Sequence, residues 1–204
     1  WPVSVSVAAS ALKGESVVET NSNVPVGYSL EKKDGVYTVE FHPVAMIGEK
    51  GYATLNAAVA AVQDGETITL VADENFSATN YYNNGGWKDG LGYSGDKSFT
   101  IDLGGYTIKQ DGSLNDYLVW IKNDGAKANT ITFKNGTMDA GTTAYCAIAT
   151  ASTNAQKLTV NLENINLINN NSNGAVVKAR GGSELNVKAG TVITAKNSYT
   201  GIEA

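Results

Sequence analysis

Apolar residues recur along the second half of the chain in a fixed beat. Ile101 and Leu103 are followed by Ile108, Ile131 and Phe133 by Met138, Val160 and Leu162 by Leu167, and Leu185 and Val187 by Val192. Within each unit the offsets are two and then five residues, and successive units are displaced by 30, 29 and 25 residues. Alternation with a period of two predicts strands. Repetition at this spacing predicts stacked units, none of which can bury its apolar face alone. A third apolar segment closes each unit, at 117–121, 145–148, 174–177 and 201–202. Three strands per unit predict a triangular coil whose parallel neighbours lie about 4.8 Å apart. With 67–71 as the first core strand, the expectation is an all-β parallel β-helix of about five coils.

Upstream the pattern changes. Thr54 opens a short helix over 54–62, with Leu55, Val59 and Val62 on one face at offsets of four and three. Thr54 is the expected N-cap and Gly65 the expected left-handed residue past the end. This helix is placed to cover the first coil, which would otherwise expose apolar core and unpaired backbone. Residues 1–44 read as a small β appendage or the tail of a preceding module, and 45–204 as the β-helix. Val3, Val5 and Val7 alternate with Ser, and two strand-like runs flank Lys32-Lys33-Asp34-Gly35, where Asp-Gly predicts a hairpin turn.

Residues 75–98 interrupt the beat with a long polar and aromatic loop. Such insertions in solenoids are often functional. Tyr81, Tyr82, Trp87 and Tyr93 supply flat amphipathic faces between Asn and Asp residues. That combination suits sugars and equally a protein surface. These four are the candidate binding residues.

Composition narrows the remaining chemistry. The 204 residues carry 20 acids against 15 bases, a net charge of −5. That balance argues against nucleic acid, which requires clustered Lys and Arg. No apolar run reaches the length of a membrane span. Cys146 is the sole cysteine and His42 the sole histidine. No internal disulfide can form, and a His/Cys zinc site is not expected. Cys146 reads as a small buried hydrophobe and His42 as a solvated residue before Pro43. No metal and no cofactor is expected.

The stretches 51–59, 64–70 and 101–108 (GYATLNAAV, DGETITL and IDLGGYTI) resemble the opening of right-handed parallel β-helix domains of the pectin-lyase-like superfamily. The likeness is to domains of large bacterial surface and secreted proteins, and it covers 45–204. It implies the fold and an extracellular setting. Enzymes of that superfamily act in a groove along one sheet, with acidic calcium ligands and a basic residue in lyases, or clustered aspartates in hydrolases. Outward positions therefore test for catalysis. Asp102, Thr132, Asn161 and Asn186 form one expected column, and Gly104, Lys134, Glu163 and Lys188 the next. Neither concentrates carboxylates. Arg180, the only arginine, reads as a corner charge. No catalytic residue is assigned.

The expected function is accordingly a non-catalytic extracellular module, adhesin-like or a stalk, that contacts glycans or host proteins. The alternative is a lyase or hydrolase of pectin-like polysaccharide. The chain stops midway through a third strand, so the expectation is that further chain, or a second copy, covers that open coil.

Overall fold

Contacts divide the chain into two units after His42. The computed structural model describes residues 26–34, 36–114, 116–152, 157–196 and 200–204. The strand expected at Val3, Val5 and Val7 lies outside the described residues. In the first unit, β1 (Tyr28–Lys33) and β2 (Val36–Phe41) pair antiparallel, with Lys33 opposite Val36. Asp34 takes φ 53, the left-handed conformation that a two-residue reversal needs and that Asp tolerates. This is the hairpin the Asp-Gly pair predicted.

The second unit opens with β3 (Ala45–Ile47) and β4 (Lys50–Tyr52), an antiparallel pair. Thr54 then caps α1 (Leu55–Ala61), its hydroxyl accepting the Ala57 N–H at 3.1 Å. Leu55, Ala58, Val59 and Val62 are buried, so the predicted face does turn inward.

Five circuits of strand follow. The first holds β5 (Thr67–Leu70), β6 (Glu74–Phe76), an antiparallel hairpin of β7 (Tyr82–Asn84) and β8 (Trp87–Asp89), and β9 (Leu91–Ser94). The second holds β10 (Phe99–Asp102), β11 (Thr107–Gln110) and β12 (Tyr117–Asn123). The third has β13 (Asn129–Asp139), whose halves serve two faces, and β14 (Cys146–Ser152). The fourth repeats this with β15 (Leu158–Asn169) and β16 (Ala175–Ala179). The last has β17 (Ser183–Val187), β18 (Val192–Ala195) and β19 (Thr200–Glu203).

Strands of successive circuits pair in parallel on three faces. The first face stacks β5, β10, β13, β15 and β17, and the second stacks β6, β11, the later halves of β13 and β15, and β18. The third stacks β9, β12, β14, β16 and β19. The fold is a parallel β-solenoid of about four turns, all-β apart from one short helix among the described residues. About five coils were expected. Five rungs on a face are joined by four steps, and the β7–β8 hairpin opens the first circuit.

The stacking register corrects the beat in two places. Ile101, not Leu103, lies opposite Phe133, and Phe99 lies opposite Ile131. Leu103 falls beyond the pair yet is fully buried, because the Gly104-Gly105 corner adds two residues before Ile108 meets Met138. Further on, Ile193 rather than Val192 lies opposite Leu167, and Val192 is 53% exposed. The column Phe133, Leu162, Val187 does stack. The outward columns shift accordingly. Thr100, Thr132, Asn161 and Asn186 form the neutral one, with amide and hydroxyl contacts of 3.2 Å. Asp102 moves into the charged one, 3.3 Å from Lys134, and Glu163 pairs with Lys188.

Other Asn residues sit at the corners. Asn135 and Asn164 adopt φ 59 and 49, and their amides stack at 3.2 Å. Asn123 and Asn169 are fully buried and bond to turning backbone. An amide both donates and accepts, so it can satisfy a corner where ladder bonds end.

The first rung is closed on every face. β3 runs antiparallel along β5. Asn56 on α1 donates to Gly90 O at 2.8 Å and accepts from Gly92 N–H at 3.2 Å, replacing a neighbouring strand beside β9. Glu74 on β6 is buried and accepts the Leu55 N–H at 2.7 Å and the Asn80 amide at 3.0 Å. Burial raises its pKa, and those donors pull it back. At the other end Val187, Val192 and Ile202 are exposed on the last rung. No helix among the described residues is long and apolar enough to cross a membrane.

Candidate functional site

The third face departs from simple alternation, and this creates a second apolar cluster outside the solenoid core. On β12, Leu118 and Val119 both belong to the core, while Tyr117 and Trp120 belong to the outer cluster. The next rungs repeat the bend: Ala147 and Ile148 turn in while Cys146 and Ala149 turn out, and Val176 and Val177 turn in while Ala175 turns out. Trp120 lies between Gly92 and Ala149 on neighbouring rungs, so a large indole fits along the face. Its ring stacks on Tyr117 with centroids 5.3 Å apart and planes 19° apart. Tyr145 meets Tyr117 edge-on at 6.3 Å.

A groove of about 450 Å³ runs over this cluster, lined by Asn84, Trp87, Asp116, Tyr117, Trp120, Tyr145 and Arg180. The β7–β8 hairpin supplies Asn84 and Trp87, the latter 58% exposed. Arg180 leaves the end of β16 and reaches back across two rungs. Its Nη2 donates to the Tyr117 hydroxyl at 2.8 Å, and the guanidinium lies 5.7 Å from that ring's centre. Lys178 lies 5.2 Å from the Tyr145 ring centre and pairs with Glu203.

Burial governs the electrostatics here. It raises the pKa of Asp116, and the charge of Arg180 pulls it back. It pushes the Tyr117 hydroxyl up to about 12. Asp89, at the end of β8, is fully buried; Oδ1 accepts the Tyr117 N–H at 3.1 Å and Oδ2 has no partner within hydrogen-bond geometry among the described residues. Burial pushes its carboxyl up to about 7; the Tyr117 N–H opposes this, Asp116 adds to it, and the Asn84 amide eases it. The Cys146 thiol is pushed up to about 12, also by burial, which makes it an inert small hydrophobe as read from the sequence.

The four aromatic residues proposed from the sequence do not form one platform. Trp87 lines the groove over the third face. Tyr82 and Tyr93 line a second hollow of about 370 Å³ beside α1, with Asn56, Val59 and Lys97 among its walls. Tyr82 lies flat on Gly92, so close that a Cβ there would meet its ring at 1.9 Å. Tyr93 packs edge-on against Phe99 at 4.9 Å and accepts the Lys97 N–H at 2.8 Å. Tyr81 packs against the core, with Lys88 5.2 Å from its ring centre. Tyr81 and Tyr93 therefore pack against the solenoid core and Tyr82 against the outer cluster, while Trp87 lines the larger groove.

Tyr117, Trp120, Tyr145 and Asp116 were missed. The signal was an aromatic pair at an offset of three, which strict alternation would place on opposite sides of a strand. Arg180 is exposed, as expected of a corner charge, but it also walls the groove.

His42 contacts Ser29 at 2.8 Å and Glu31 at 3.1 Å, both through Nε2. A catalytic triad needs the acid and the nucleophile on different ring nitrogens. This exposed cluster does not have that arrangement. Among the described residues no group of three or more His, Cys, Asp and Glu is placed to hold a metal. Compared with protein-family models, with curated proteins and with solved structures, the chain matches none.

Proposed function

We propose that this chain is a non-catalytic binding module of a bacterial surface or secreted protein, built on a pectin-lyase-like β-helix, and that it holds glycans in the groove over the third face. The observation that carries this reading is the outward aromatic cluster. Trp87, 58% exposed, and the half-buried Tyr145 stand at the groove, and Tyr117 and Trp120, 6% and 8% exposed, form its floor. Flat apolar faces pack on the C–H faces of sugar rings, and Asn84, Asp116 and Arg180 at the rim can bond hydroxyls. The rings of Tyr117 and Trp120 stand on a stacked rung, so little ordering is required of them on binding. The acidic balance and the Thr and Asn columns suit an extracellular surface.

A glycan array, followed by titration of the tryptophan indole signals, tests the reading. Ligands should shift the Trp87 and Trp120 indoles, and Trp87→Ala should weaken binding without unfolding the chain. A folded chain that binds no glycan and no host protein would be a spacer only.

A polysaccharide lyase or hydrolase is the second reading. Asp89, with its carboxyl near 7 beside Asp116, favours it. Yet Asp89 is fully buried behind the groove, out of reach of a glycosidic oxygen. Release of reducing ends or unsaturated products from acidic or neutral polysaccharides would establish that reading instead.

A further inference from the structure

The groove carries one acid and one base that share its rim without bonding to each other. Arg180 makes one side-chain hydrogen bond, to Tyr117, and no ion pair among the described residues. That bond uses one donor of a guanidinium that carries several more. Asp116 is half-buried, and its carboxylate forms no hydrogen bond or ion pair with the described residues. Elsewhere on the solenoid, acids and bases that approach do pair, as Asp102 does with Lys134 and Glu163 with Lys188. Here each charge is held near aromatic rings and left open to the groove. A ligand with a single charge would satisfy one and leave the other unmatched. A ligand with both would satisfy the two together, and a cation beside Asp116 would also gain from the exposed ring of Trp87, which lines the same groove.

We infer that the groove takes a zwitterionic substituent on a glycan: an alkylated ammonium between Asp116 and the rings, with a phosphate a short linker away on Arg180. Phosphocholine is the simplest molecule with that chemistry. The groove's volume of about 450 Å³ admits it with part of a sugar attached. The inference rests on the reading of this groove as a glycan site.

The test is calorimetric and NMR titration of the 204-residue chain with phosphocholine, choline, inorganic phosphate, maltohexaose and xylohexaose. Phosphocholine should bind about tenfold more tightly than either choline or phosphate, as one added charge-assisted contact would give. Arg180→Gln should reduce phosphocholine to the level of choline, and Asp116→Asn to the level of phosphate, with unchanged melting curves. Equal binding of either half, or no effect of the two variants, overturns the inference. If the neutral oligosaccharides shift the Trp87 and Trp120 indoles and phosphocholine does not, the inference fails while the glycan reading stands. If none of the probes and no other glycan shifts them, both fall.

Discussion

Asn56 is a single side chain that seals the open edge of β9, and its removal has a calculable cost. Its amide holds Gly90 O at 2.8 Å and Gly92 N–H at 3.2 Å, and both glycines are buried. Asn56→Leu keeps the volume and strands the Gly92 N–H, while Gly90 O keeps the Tyr82 N–H at 3.2 Å. A stranded buried group costs about 1–3 kcal/mol. Losing one of two bonds at Gly90 O adds to this and water entry at the half-buried helix edge offsets it, so the expected cost is about 2 kcal/mol. Against a typical domain stability of about 5–15 kcal/mol, this is a large fraction. Urea unfolding should show a lower midpoint at an unchanged slope, and hydrogen exchange should accelerate at the Gly92 amide first. Asn56→Asp keeps the acceptor but sets a carboxylate against the Gly90 carbonyl. Its loss should match that of Asn56→Leu at neutral pH and shrink in acid, where the protonated carboxyl can donate. If Asn56→Leu stays within about 0.5 kcal/mol of the parent and Gly92 keeps its protection, the amide does not replace a strand and the reasoning fails.

Other consequences can be checked in the same assay. Asp89 has its carboxyl raised from 3.8 to about 7, so the folded state holds its proton more tightly than the unfolded one. The stability this gives is complete below about pH 4 and is lost as pH rises through about 7, a span of about 4 kcal/mol. Relative to Asp89→Asn, the parent should lose that much between acid and about pH 8; parallel pH curves would show that Asp89 titrates normally. Gly174→Ala would put a Cβ 1.9 Å from the Tyr145 carbonyl oxygen. The backbone can yield little there, so a loss of about 3 kcal/mol is expected, and a neutral outcome would mean that the rungs are looser than described. Lys134→Met breaks a partly exposed pair with Asp102 and should cost less than about 1 kcal/mol. A larger loss would give the charged column a structural weight that the ion-pair geometry does not support.

The solenoid was legible because its cause is repetitive. Phe133, Leu162 and Val187 share one column, in which each inner rung is buried by its neighbours and only the last is left exposed. The helix was legible for local reasons, a Thr cap and a face at offsets of four and three. Register at the first circuits was less so. Leu103 is as apolar as Ile101, and only the longer Gly104-Gly105 corner decides which one meets Phe133. At the last rung, Val192 and Ile193 are adjacent β-branched residues, and the pairing with β15 decides between them.

The groove was illegible for a different reason. By its pattern 117–121 is one apolar strand, in which strict alternation does not let Leu118 and Val119 both face in. The bend that allows it is set by neighbouring rungs, which bend at the same place at Ala147-Ile148 and Val176-Val177. Arg180 joins the site by folding back across rungs to Tyr117, a contact between residues 63 apart that no local pattern announces. Within 75–98, Trp87 lines the groove and Tyr82 packs against the outer cluster, while Tyr81 and Tyr93 pack against the solenoid core.

The most direct test of the stacked register is a disulfide between outward positions of adjacent rungs in a Cys146→Ala background. Thr132 and Asn161 are parallel partners, as are Thr100 and Thr132, whereas Asp102 and Thr132 are offset along the strand by two residues. Parallel partners about 4.8 Å apart fall within the Cα separations a disulfide spans, and the offset pair falls beyond them. Mild oxidation should close the 132–161 and 100–132 cysteine pairs and leave the 102–132 pair reduced, read by intact mass. Closure of the 102–132 pair alone, or of none of the three in a folded chain, would contradict the stack from which the groove and its chemistry are built.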